Sequence, residues 1–87
     1  MKTVPTIGGR SYFDYIIKEN NVFVRFGRIK KPIKVKNETV ELVKKQVNDL
    51  IKKPVQRASF YNKKYWNGCP NNRISPYVAQ LILLGKI

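Results

Sequence analysis

Between Arg25 and Lys36 the chain carries six cations in twelve residues, Arg25, Arg28, Lys30, Lys31, Lys34 and Lys36, and no acid. Cations at this density neutralise phosphates and release the counterions condensed on a nucleic-acid backbone, whatever the base sequence. Ile33, Lys34, Val35 and Lys36 alternate apolar with basic, so in an extended strand Lys34 and Lys36 project to one side while Ile33 and Val35 turn to the core. A basic ribbon of this kind suits tracking a phosphate backbone or entering a major groove. Lysine also guards a sheet edge against pairing with other chains, but that use accounts for about two or three cations rather than the whole run.

A second run, Phe60-Tyr61-Asn62-Lys63-Lys64-Tyr65-Trp66-Asn67, interleaves rings with cations and is followed across a Gly-Pro-Asn loop by Arg73. Lys63, Lys64 and Arg73 would extend the phosphate-binding surface, and Tyr61, Tyr65 and Trp66 offer faces on which bases stack. The same rings serve equally as packing anchors of a thin core. Asn71-Asn72-Arg73-Ile74-Ser75-Pro76 then leads into a helix whose N-terminus could receive a phosphate beside Arg73, or could simply be capped by Ser75.

Other chemistries lack their residues. The chain has 87 residues, no His and one Cys, so a His/Cys zinc site, an intrachain disulfide and Ser-His or Cys-His catalysis are all excluded. Its five carboxylates are Asp14, Glu19, Glu38, Glu41 and Asp49, and Glu38 and Glu41 sit where a helix start would use them, which leaves too few to gather two catalytic metals. Gly8-Gly9 and Gly27 lack the context of a phosphate-binding fingerprint. Against the five acids stand 18 Lys and Arg, a net charge of +13, and self-repulsion of that size points to a polyanionic partner. Residues 1–10 show no apolar signal core, and the longest apolar run at the tail, Leu81–Leu84, is too short to span a membrane. The reading is of an intracellular protein, in the cytoplasm or, if bound to DNA, in the nucleoid or nucleus.

The elements that must position these residues follow from periodicity. The chain is one small basic domain over 1–87, with 1–10 a leader or a short first strand. Tyr12–Lys18 and Val22–Phe26 are β-type runs separated by Glu19-Asn20-Asn21, a hairpin signal; Val22, Val24 and Phe26 share one face and Phe23 and Arg25 the other. Pro32 makes the next strand, Ile33–Lys36, short or marginal to the sheet. Val40, Val43, Val47, Leu50 and Ile51 fall on one face of a helix that Asn37 caps and Pro54 stops. Gln56–Tyr65 permits a short helix. Ser75-Pro76 opens a last, almost wholly apolar helix closed by Gly85, which belongs in the core or in a homodimer interface.

The predicted fold is therefore α+β: a hairpin or three-stranded antiparallel sheet, a long amphipathic helix and a helical C-terminal third. The predicted function is non-catalytic nucleic-acid binding, with double-stranded DNA favoured over RNA and no cofactor or metal required. One alternative is a small accessory or inhibitor protein that covers an acidic protein surface or a nucleoprotein complex. Another is metal-independent ribonuclease chemistry by Tyr, Lys and Arg, which small basic bacterial toxins of similar size perform; the similarity is one of size and charge.

Overall fold

The computed structural model describes residues 2–6, 12–27, 30–52, 65–66 and 68–87. Four strands, β1 (Lys2–Pro5), β2 (Tyr12–Lys18), β3 (Asn21–Phe26) and β4 (Ile33–Val35), form an antiparallel sheet in the order β1-β2-β3-β4. Of the two readings of residues 1–10 the short first strand is the one that forms, pairing with β2 from Lys2 opposite Tyr15 to Pro5 opposite Tyr12 and bringing the predicted hairpin or three-stranded sheet to four strands. Pro5 is tolerated because β1 lies at the edge.

The hairpin turn falls on Glu19 and Asn20, with φ of 52° and 65°, so that Lys18 pairs with Asn21. Positive φ at both central residues is the type I′ geometry whose twist matches that of the strands. The predicted turn, Glu19-Asn20-Asn21, is thus one residue shorter, and Asn21 is in the ladder. After β3 the chain turns through Gly27 in the left-handed region, at φ 63°.

Helix α1 (Asn37–Lys52) buries Val40, Val43 and Val47 along the predicted stripe. Its first bond runs from the Val40 amide to the Lys36 carbonyl at 3.1 Å, so Asn37 stands inside the first turn rather than capping it. Ile51 departs from the stripe: it is 70 % exposed at the helix end. Helix α2 (Ser75–Leu83) also starts one residue early, on its predicted cap, with Ile74 in the cap position. The Ile74 carbonyl receives the Tyr77 and Val78 amides, while the Ser75 hydroxyl turns back to the Asn71 carbonyl at 3.4 Å instead of capping. At the other end Gly85 acts as predicted. Its φ is 76°, its amide bonds the Ile82 carbonyl at 3.0 Å, and the Lys86 amide bonds the Leu81 carbonyl at 2.9 Å, the paired bonds of a Schellman motif.

Both helices lie on one face of the sheet. Phe13, Tyr15, Val22, Val24 and Val35 from the strands pack with Val43 and Val47 of α1 and with Trp66, Ile74, Val78 and Leu81 of the C-terminal third in one buried cluster. The apolar character of α2 is thereby absorbed within its own chain; Leu83 and Leu84, at its end, remain about half exposed. Gln80 fastens α2 to the sheet by donating from Nε2 to the Pro5 carbonyl. Among the described residues no helix is long and apolar enough to cross a membrane. The predicted short helix Gln56–Tyr65 lies, apart from Tyr65, outside the described residues.

Candidate nucleic-acid interface

β4 ends at Val35, one residue short of the predicted Lys36, whose carbonyl instead opens α1, and within the strand the alternation works as its residues dictate. Val35 is buried against Val22 and Ile33 is half-buried opposite Val24, so Lys34 is turned to the far face of the sheet, opposite Phe23. Lys30 and Lys31 precede the strand and Lys36 follows it, and all four lysines are exposed. Because β4 is the last strand of the sheet, this basic strip runs along an edge. Among the described residues the ion pairs are Arg25 with Asp14 and Lys44 with Glu41, and neither involves the strip.

Arg25 behaves differently from its predicted role as a free phosphate ligand. It stands directly opposite Asp14 across β2 and β3, and its Nη2 and Nε reach one carboxylate oxygen of that residue at 2.6 and 3.1 Å. The Thr3 hydroxyl donates to the other oxygen at 2.7 Å. These two hydrogen-bond donors, Arg25 first and Thr3 second, hold the Asp14 carboxyl below its ordinary value of 3.8. Arg25 is therefore paired within the sheet, with its side chain 40 % exposed. The cause is strand register, which places the one acid of β2 across from the one cation of β3.

The C-terminal cations and rings separate in the same way. Trp66, read either as a base-stacking platform or as a packing anchor, is fully buried and takes the second role, since a large ring in a thin domain is worth more as packing than as a surface. Tyr65 is half-buried, packed edge-on against Trp66 with centroids 5.1 Å apart. Burial and the nearby Asp49 carboxylate both push its hydroxyl pKa upward, and an acid at that position disfavours a phosphate beside the ring. Tyr61, Lys63, Lys64 and Arg28 lie outside the described residues.

Arg73 is exposed and does meet the sheet. With Asn71, Asn72 and Ile74 it lines a pocket of about 380 Å³ whose opposite wall is Phe26, at the end of β3, and Ile33, at the start of β4. Arg73 thus stands at the same end of the sheet as Lys30 and Lys31. Phe26 stacks on Tyr77 of α2 at 4.3 Å and 18°, and Tyr77 packs edge-on to Phe13 at 5.0 Å, so the pocket's aromatic wall is anchored to the core.

Exposed aromatic surface lies on the sheet, outside the predicted residues 60–67. On the face away from the helices, Tyr12 is 65 % exposed and Ile16 is 38 % exposed beside half-buried Phe23 and exposed Lys34. The period-two alternation that placed Val22 and Val24 inside was the available signal, because it assigns Tyr12 and Phe23 to the other side.

Cys69 is buried, and burial raises its thiol pKa while a hydrogen bond with Ser75 lowers it. Among the described residues no three side chains of the metal-ligating types gather. Comparison of the chain with protein-family models, with curated proteins and with solved structures returns no match.

Proposed function

We propose that this protein binds nucleic acid without catalysis, double-stranded DNA in preference to RNA, through phosphate contacts along the β4 edge. The observation that carries the reading is the row Lys30, Lys31, Lys34 and Lys36. These are four exposed cations on a rigid strand and its flanks, with no acid among them and no ion pair to any described residue. Charges left uncompensated in this way cost self-repulsion in the free protein and are repaid when counterions leave a bound polyanion. The three-residue edge strand, backed by the core, fixes the position of Lys34, and Lys30, Lys31 and Lys36 flank it. Arg73 extends the row at the Ile33 end, and Arg28, Lys63 and Lys64 are further ligands in this reading.

The experiment is a gel shift with duplex DNA, single-stranded DNA and RNA of matched length at two salt concentrations. Duplex DNA should bind best and weaken steeply with salt. Failure of all three to bind at low salt overturns the proposal and leaves an acidic protein surface as the partner to seek. Incubation with RNA in the absence of metal should leave the RNA intact; cleavage would replace binding with ribonuclease activity.

A further inference from the structure

We infer that the pocket between the β3–β4 end of the sheet and the 71–74 turn receives a single unpaired nucleobase of the bound nucleic acid. The inference rests on the binding reading above and adds to it the kind of site the protein selects. A space of about 380 Å³ lies at the small end of ligand pockets and is enough for one base with its sugar. Its walls suit such a base. The aromatic side chain of Phe26 is held by its stack on Tyr77, and half-buried Ile33 supplies aliphatic surface. Its polar groups are also of the kind that recognise base edges: the carboxamides of Asn71 and Asn72 each offer both a donor and an acceptor, and Arg73 offers donors to a base or to its phosphate.

The turn that presents them is fixed. Asn71 is in the left-handed region at φ 54°, and its carbonyl accepts the Ile74 amide at 2.9 Å as well as the Ser75 hydroxyl. The pocket's position relative to the basic strip supplies the reason for a nucleic-acid ligand. Ile33 follows Lys30, Lys31 and Pro32 directly, so a base seated in the pocket would carry its phosphates to the cations at that end of β4. A base inside an intact duplex cannot reach such a site, whereas a bulged or extruded one can, at little unstacking cost. The protein would then favour duplexes interrupted by an unpaired nucleotide.

The test uses two DNA duplexes, one fully paired and one with a single bulged 2-aminopurine, titrated with protein at constant salt and read by anisotropy and by aminopurine emission. The bulged duplex should bind on the order of tenfold more tightly, with its emission changed on binding. Asn72→Ala should remove that preference while leaving affinity for the paired duplex unchanged, and Phe26→Leu should do the same by a route independent of hydrogen bonding. Equal affinity for the two duplexes with unchanged emission overturns the pocket's role and leaves phosphate binding standing. Failure of both duplexes to bind overturns both.

Discussion

The β4 edge and the solvent face of α1 both present exposed lysines, and they differ in what stands beside them. On α1, Lys44, Lys45 and Lys52 share the helix with Glu38, Glu41 and Asp49, and Lys44 reaches Glu41 at 3.8 Å one turn away. The three cations and three acids cancel, giving the solvated, self-compensated surface common on helices. At β4 four lysines follow one another from residue 30 to 36 with no acid. A net charge of +13 is thus not spread evenly; the helix contributes almost none of it and the strand edge a large share. The lesson is that the number of lysines in a segment says little about polyanion binding until the acids around them are placed, and Arg25 shows the same thing for one residue.

The largest expected effect comes from setting the two surfaces against each other. Replacing Lys30, Lys31, Lys34 and Lys36 together by Ala should weaken binding to duplex DNA on the order of a thousandfold at about 0.15 M salt, since each lost phosphate contact removes close to one released counterion. Replacing Lys44, Lys45 and Lys52 should change it by no more than a few-fold. Comparable losses in the two variants would show that bulk charge rather than the edge does the binding.

A smaller contrast exists on the open face of the sheet. Lys34→Ala should cost about fivefold in affinity, and Arg25→Ala less than that, because Arg25 already spends its charge on Asp14. Conversely, Asp14→Asn should tighten binding about twofold by removing the acid that neutralises Arg25, measured in the same titration.

The Asp14 cluster also predicts a pH dependence of stability. Its carboxyl is held low by Arg25 and Thr3, so its contribution is fully present above the ordinary value of 3.8 and is lost as pH falls through the lowered folded value. Thermal melts of the wild type and Asp14→Asn should therefore differ most near neutrality and converge in acid. A gap that is constant with pH would mean the carboxylate charge is not what the cluster stabilises.

The smallest effect is a control at the far end of the sheet. Glu19 sits at φ 52°, where side chains with a Cβ are strained, so Glu19→Gly should raise stability by about 0.5–1 kcal/mol in chemical denaturation while leaving DNA affinity unchanged. A change in affinity would extend the interface to the hairpin.

Much of this architecture was legible in the residues, and where it was not the reasons are physical. Periodicity placed the α1 valines, the β3 faces and the inward turn of Val35, and Gly85 marked the end of α2, because each is fixed by local geometry. The first strand is only one of two readings of the opening residues, because four residues without a strong pattern become a strand only when β2 offers its edge. Ser75 does not cap because Ile74 takes the cap position, its carbonyl accepting the Val78 amide, which leaves Ser75 as the first helical residue. The candidate site divided along the same line. The outward turn of Lys34 could be read from alternation, whereas the pairing of Arg25 with Asp14, the burial of Trp66 and the meeting of Arg73 with Phe26 depend on register and packing between distant segments.

The claim that the β4 edge holds the phosphates is tested most directly by the salt dependence of duplex binding, compared between the wild type and the four-lysine variant. With about six to eight phosphates neutralised, the wild-type plot of log K against log salt should have a slope on the order of −5 to −7, and removing four contacts should reduce its magnitude by roughly 3 to 4. An unchanged slope in the variant, or a wild-type slope near zero, would contradict it.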